Sequence, residues 1–399
     1  LYSLQIQQNF EGLMPLDWPS IEKSAIQFRH DLHRQPELTW QEANTAQKIR
    51  DALNQLDIPW RVCAKHGTVA SLAPNAKGQH IALRCDIDAL PIAEATDLPY
   101  RSENPGCMHA CGHDGHTATL WGIAAWLKSR ETRLPCPVSL IFQPAEEGGH
   151  GAREMIADGA LEGVDCIYGW HNWPAIPFGQ AVCPGGAVMS GNGTFDIVVR
   201  GRGGHASQPE LCRDPVLAAA AITLNLQQIV SQRLQAQDAA VLVVTSIDAR
   251  SGPTTIPETA HLSGGIRIGH PDLRILINNL IRQICEDTAR TYGVEAEVDI
   301  QPRYEATVNH KGPAQYYRAC LAEEFGIDWC MSALPLPVMA SEDFSYYLNA
   351  IPGAFALIGT SDANNFQAPC HSQHYQFNDA LIAPVVRLFS RLAGVDPPV

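Results

Sequence analysis

Four apolar runs, at residues 68–72, 80–86, 138–143 and 166–170, constrain the fold of this chain most. Helical patterns at 117–128 and 152–158 fall between the later runs. A largely apolar strand without polar–apolar alternation is buried on both faces. Such strands alternating with helices predict an α/β domain with a mixed sheet covered by helices. Upstream, one helix is expected near 21–32. A second should begin at Thr39 and Glu42, which have capping-box spacing, with Ala43, Ala46, Ile49, Leu53 and Leu56 along one face. Residues 1–19 read as an irregular arm.

The pattern changes after Gly185-Gly186. Residues 194–199 alternate like a strand, 215–233 form a long helical pattern, and strands follow at 241–247 and 260–268 around Gly252-Pro253. A second long helix at 271–292 and a strand at 294–300 complete the order β-α-β-β-α-β, the ferredoxin-like unit. The expected organisation is therefore a first domain in two parts, 1–186 and 304–399, interrupted by an α+β insertion at 187–303. Helices near 313–325 and 379–392 return the chain to the first domain. A length of 399 residues suits two to three domains.

Bulk properties exclude several classes of function. A formal net charge of −14 argues against nucleic acid and anionic membranes as partners. The longest apolar stretch, near 216–222, is far too short to span a bilayer. Leu1-Tyr2-Ser3-Leu4-Gln5 lacks the basic and apolar regions of a secretory signal, and the twelve cysteines contain no CxxC pair. Together these features predict a cytoplasmic protein.

The chemistry is concentrated in Met108-His109-Ala110-Cys111-Gly112-His113-Asp114-Gly115-His116, at a loop-to-helix junction. A thiol and several imidazoles in one short stretch are what a transition metal requires. Taken alone, Cys111 and His113 read equally well as a buried cysteine and a loop histidine. Glu146-Glu147 alone would read as solvated acids. However, Glu146-Glu147 follow the run 138–143, His171 follows 166–170, and Asp86 and Asp88 end the run from 80. Open α/β sheets build their sites at the carboxyl ends of strands, so this convergence favours a metal centre.

With these motifs the chain resembles the co-catalytic metallopeptidase family of aminoacylases, in its hippurate hydrolase and indole-acetyl-amino-acid hydrolase branch. The matching segments include Arg84-Cys85-Asp86-Ile87-Asp88-Ala89-Leu90-Pro91, Cys111-Gly112-His113-Asp114-Gly115-His116, Gln143-Pro144-Ala145-Glu146-Glu147, Gly203-Gly204-His205-Ala206, Ser341-Glu342-Asp343-Phe344 and His371-Ser372. The resemblance implies a catalytic α/β domain interrupted by a ferredoxin-like lid that also dimerises. It implies two divalent metal ions, zinc by default with manganese, nickel or cobalt as alternatives. Their ligands would be Cys111, His113, Glu147, His171 and His371. Glu146 would be the general acid/base, and Asp88 would support the site from behind. Cys111 stands where other branches carry a bridging aspartate, and Asp86 where they carry a histidine ligand, so Asp86 is left out of the ligand set. The implied reaction is hydrolysis of an N-acyl amino acid to a carboxylic acid and an amino acid. A metallo-carboxypeptidase or dipeptidase is the alternative within the same chemistry. A cysteine hydrolase using Cys111 and His113, and a metal-binding protein without activity, are alternatives outside it.

The resemblance also implies that His205 reaches the neighbouring subunit's site in a homodimer and bonds the substrate carbonyl oxygen; a lid turn without a catalytic part is the competing reading. Gly201-x-Gly203-x-x-Ala206 superficially resembles a dinucleotide fingerprint. No acidic residue follows at the required spacing and Pro209 interrupts the helix start, so nicotinamide binding is rejected. Thr254-Thr255-Ile256-Pro257 departs from the family, which usually has an asparagine two residues before the Ile-Pro pair. Arg267 is the candidate for holding a substrate carboxylate, with a surface ion pair as its alternative.

Overall fold

The computed structural model describes residues 17–399, so most of the expected N-terminal arm lies outside the described residues. Trp18 and Pro19, assigned to that arm, instead open the helix Trp18–Arg34. Asp17 caps it by accepting the Ser20 N–H at 3.0 Å. Pro19 sits in the first turn, where a missing N–H costs nothing.

The described residues form two compact units. In the larger, a seven-stranded sheet runs in the order Trp60–Cys63, Gly67–Leu72, Val138–Gln143, Ile81–Asp86, Cys166–Pro177, Gly353–Ser361 and Ala181–Val182. The four strands from Val138–Gln143 to Gly353–Ser361 are mutually parallel and the outer pairings are antiparallel, which makes the sheet mixed, as expected. Every residue of Ile81–Asp86 and Val138–Gln143 is buried. That burial explains why these runs lack the alternation of a half-exposed strand. The helix His113–Lys128 is also buried almost throughout, and Ile123, Ala124 and Leu127 share a core with Leu83, Leu140, Val385 and Phe389.

Three local expectations need correction. Thr39 and Glu42 form no capping box: Glu42 makes no side-chain cap bond to the helix Ala43–Gln55. The Glu37 carboxylate caps that helix, accepting from Asn44 N at 3.2 Å and Thr45 N at 2.7 Å. Thr39 donates instead to Asp88 Oδ2, and Glu42 accepts from Ala145 N, so tertiary partners outcompete the local motif. Secondly, the strand at 166–170 continues to Pro177 because the parallel pairing with Gly353–Ser361 extends that far, leaving His171 inside the strand. Thirdly, the helix expected from 117 begins at His113.

The smaller unit has a four-stranded antiparallel sheet in the order Ala240–Asp248, Thr259–Ile268, Gly191–Arg200 and Glu295–Pro302. With the helices Pro215–Leu226 and Asp272–Tyr292 this is the ferredoxin-like arrangement. Phe195, Ile197 and Val199 alternate inward and pack with Ala218, Ile222, Ile277 and Ile281. The helix expected over 215–233 ends at Leu226, and Ile229–Arg233 is a wider π-turn. Thr223 and Ser231 bond back to the carbonyls of Ala219 and Gln227, the kind of bonding that bends helices. The unit comprises Gly186–Val308 together with Pro335–Tyr346, so it extends beyond the expected 187–303. The second segment, expected with 304–399, is held by Ser190 N, which donates to the carbonyls of Val338 and Ala340, and by Val338 N, which donates to Val188.

Candidate metal centre

The parallel strands of the larger unit deliver their chemistry to one edge. Asp86 ends its strand, Asp88 lies two residues beyond, and Glu146-Glu147 follow Val138–Gln143. Gly112 turns the chain into the helix at φ 93°, so Cys111 lies in the loop and His113 is the first helical residue. A Cβ on Gly112 would come within 2.3 Å of Asn172 Oδ1 and 2.5 Å of Tyr375 Oη. Only glycine satisfies both constraints.

The five expected ligands are all in the larger unit, in two groups that share Cys111. Cys111, His113 and His171 form one; Cys111, Glu147 and His371 form the other. Within each group the ligand atoms lie within 4.8 Å of one another. Cys111 Sγ is 3.3 Å from His171 Nε2, and His371 Nε2 is 3.2 Å from Glu147 Oε1. His371, at φ 68°, donates its backbone N–H to Ala110 O at 2.8 Å, which brings the C-terminal segment to the motif loop.

The donor set fits a cation. His113 Nε2 is buried without a hydrogen-bond partner, and the one near neighbour of the buried Glu147 Oε1 among the described residues is His371 Nε2, itself an expected ligand. The opposite nitrogens are committed, since His113 Nδ1–H donates to Asp88 O at 2.9 Å and His171 Nδ1–H donates to Asn172 O at 2.6 Å. Such bonds set the tautomer and leave Nε2 as the ligand atom. Burial opposes a charge on His113, but the carboxylates of Asp86, Asp88 and Glu147 outweigh it and raise its pKa to about 10. Burial and the neighbouring His116 keep His171 neutral. The bond to Cys370, burial, and the charges of Glu147 and Glu146 push the Cys111 thiol well above its ordinary range. A divalent cation held by these residues would offset this excess of negative charge and lower the thiol's pKa.

Asp88 holds the acidic pair in place: its two carboxylate oxygens accept from Glu146 N and Glu147 N, each at 3.0 Å, and Thr39 Oγ1 donates to it at 2.8 Å. Glu146 is 6% exposed. Asp86, His113 and His116 form a further metal-competent group. Asp86 is already engaged, by Arg84 Nη1 at 2.8 Å and His116 Nδ1 at 2.6 Å, while His116 Nε2 lies 2.7 Å from Asn172 Oδ1.

His205 and Arg267 belong to the smaller unit. His205 is exposed on the short strand Gly204–His205, which pairs with Thr255–Ile256. Its Nδ1 accepts the Ser207 backbone N–H at 3.2 Å, which leaves the proton on Nε2. Arg267 is partly buried and donates to Ser341 Oγ at 3.0 Å, with no ion pair to a carboxylate among the described residues. Three participants escaped the sequence reading. Asn172 bonds Tyr375 and Cys370 as well as His116. Glu42 holds Ala145 from below the acidic pair. Asp114 is fully buried against His33 Nδ1 at 2.8 Å and Arg29 Nη1 at 3.1 Å. The acid of the Gly112-His113-Asp114 motif was the only visible signal, and its partners lie some eighty residues upstream.

The chain has relatives among known proteins. The chain is similar to IAA-amino acid hydrolase ILR1-like 2 of Arabidopsis thaliana, 35% identical over 370 residues, 91% of this chain and 83% of that protein. It is similar to the hippurate hydrolase of Campylobacter jejuni, 34% identical over 92% of this chain and 94% of that one. Among solved structures, a Bacillus subtilis protein described as a dinuclear metal binding peptidase from the M20 family superposes with TM-score 0.82 at 32% identity, covering 94% of this chain and 98% of that chain. Residues 82–394 match the model of peptidase family M20/M25/M40, and the chain belongs to that family.

Proposed function

We propose that this protein is a metal-dependent amidohydrolase that releases the amino acid from N-acyl amino acids, with the larger unit as the catalytic domain. One observation carries the reading: two ligand groups share Cys111 at the strand ends, with Glu146 adjacent to the ligand Glu147. The names of the relatives support the substrate class. Two divalent ions, zinc by default for thiolate and imidazole donors and manganese, nickel or cobalt otherwise, would supply Lewis acidity and acidify water.

The chain's own residues do the rest. Glu146, held through its backbone by Asp88, takes a proton from the attacking water and returns it to the departing amine. Such acid–base work typically contributes about 10²–10⁴-fold. His205 donates from Nε2 to the developing oxyanion, as its Nδ1 acceptor bond allows. Arg267 receives the substrate carboxylate. The smaller unit acts as the lid and the dimerisation module. Its edge strand Ala240–Asp248 exposes Val241, Val243 and Ile247, and its helix Pro215–Leu226 exposes Leu217 and Leu224. Apolar surface on a sheet edge calls for a second copy. A cytoplasmic homodimer follows from this reading and from the cysteine content.

The test is Glu146→Gln, assayed on N-acetyl, benzoyl and indole-acetyl amino acids beside dipeptides, with metal counted on the same sample. Retained metal with turnover reduced about 10²-fold or more is expected. Unchanged turnover would remove Glu146 from its role, and a preference for dipeptides would move the substrate class to peptides.

A further inference from the structure

The loop that carries Glu146 and Glu147 is fastened by a segment that has no place in the ligand set. Ala145, directly before the acidic pair, has a left-handed backbone at φ 56°, and so has Trp40 at φ 63°. Neither residue is glycine, so each conformation is strained and persists only where its surroundings impose it. One atom serves both: Glu42 Oε1 accepts the Trp40 N–H and the Ala145 N–H, each at 2.9 Å. Glu42 lies 103 residues before Ala145 in the chain and is fully buried, so water does not compete for these bonds. Two further contacts reach the same loop. Thr39 Oγ1 lies 3.3 Å from the Glu147 carbonyl oxygen, and Trp40 Nε1 donates to Gly149 O at 3.0 Å. Gly149 permits this close approach, because a Cβ there would lie 2.5 Å from Thr39 Cγ2 and 2.8 Å from Trp40 Nε1. The segment is itself anchored beside Asp88, since Ala89 N donates to Glu37 O at 2.8 Å and Leu38 bridges to Ala89.

We infer that Glu42 is a positioning residue for Glu146: together with Trp40 it fixes the left-handed turn at Ala145, and through that turn the direction in which the Glu146 side chain enters the site. The inference rests on Glu146 being the general base, as proposed above. A general base works only within hydrogen-bond reach of the proton it takes, and a misplacement of about 1 Å can cost about 10²-fold. Asp88 is shared by the N–H groups of Glu146 and Glu147, whereas Glu42 binds the residue immediately ahead of Glu146. Without Glu42 the Ala145 N–H loses its acceptor, the strained turn relaxes, and Glu146 moves with it. Glu147 keeps its own N–H bond to Asp88. The loss therefore falls on turnover and not on metal binding.

The experiment measures kcat, KM and bound metal for Glu42→Ala, Glu42→Gln and Trp40→Phe at saturating zinc, on an N-acyl amino acid that the wild type hydrolyses. Urea unfolding of the same samples establishes that each variant is folded under the assay conditions. Glu42→Ala is expected to lose about 10²-fold in kcat with wild-type KM and metal content. Glu42→Gln keeps an acceptor oxygen for both N–H groups and should recover most of that loss. Trp40→Phe gives up only the bond to Gly149 and should show a smaller loss. The double variant Glu42→Ala with Glu146→Gln should be no slower than Glu146→Gln alone, because both changes damage one step. Wild-type kcat in Glu42→Ala overturns the inference, as does wild-type kcat in Trp40→Phe if Glu42→Ala does not fold. Metal loss in step with the loss of turnover would also overturn it, by moving the role to the ligand set. A double variant slower than Glu146→Gln by the full Glu42→Ala factor would show that Glu42 acts by another route. Full turnover in Glu146→Gln is a separate result: it overturns the base on which the inference rests, whatever the Glu42 variants do.

Discussion

Asp88 accepts the backbone N–H of Glu147 at 3.0 Å, while its own carbonyl oxygen accepts the Nδ1 proton of His113 at 2.9 Å. One residue thereby orients two of the proposed ligands, which come from different elements. Asp88→Ala should fold and lose about 10–100-fold in metal affinity, the usual cost of removing an outer partner. Competition titration against a chelating dye would measure this, and an unchanged affinity would reject the orienting role.

Chelation should abolish turnover, and added zinc should restore it. Metal that binds only the folded state also raises stability, so melting temperature should climb with metal concentration. A scan that stays flat across a metal titration would contradict the donor set.

Gly112 occupies a left-handed backbone conformation with no room for a Cβ. Gly112→Ala should lose about 1–3 kcal/mol from backbone strain alone, and more from the clash with Asn172 and Tyr375. Denaturant unfolding provides the value, and stability equal to wild type would contradict the geometry.

Burial works against a charge on His33, but the Asp114 carboxylate and the hydrogen bonds to Asp114 and Glu94 raise it to about 9, from an ordinary value of 6.5. A raised folded pKa means that the charged pair stabilises fully below about pH 6.5. This contribution fades as pH rises and is lost near pH 9. Wild-type stability should therefore decline across that window more steeply than that of His33→Gln. Parallel denaturation profiles for the two proteins would refute the assignment.

Val243→Glu and Leu224→Glu place charges on the exposed edge strand and on the outer side of its helix. Each should shift sedimentation from dimer to monomer without unfolding the smaller unit. A wild-type protein that sediments as a monomer at every concentration would dispose of the dimer.

Much of this was legible beforehand because it depends on local order. Parallel strands buried on both faces, such as Ile81–Asp86 and Val138–Gln143, lack polar–apolar alternation, and that leaves a mark in one dimension. The alternation of Phe195, Ile197 and Val199 did the same for the smaller unit. Boundaries were less legible. Thr39 and Glu42 have the spacing of a cap, yet their side chains serve Asp88 and Ala145, and no local rule anticipates a partner so far along the chain. The placement of Pro335–Tyr346 with the smaller unit was hidden for the same reason.

The sequence alone determined which elements form and which donor atoms sit at their ends, since periodicity and motif spacing are properties of neighbouring residues. Only the tertiary structure decided that Cys111 is shared by two metal-competent groups and that Asp88 joins the acidic pair to His113. Those relations arise when strands pair and a C-terminal segment returns to the motif loop, and contacts of that range are set by packing of the whole unit.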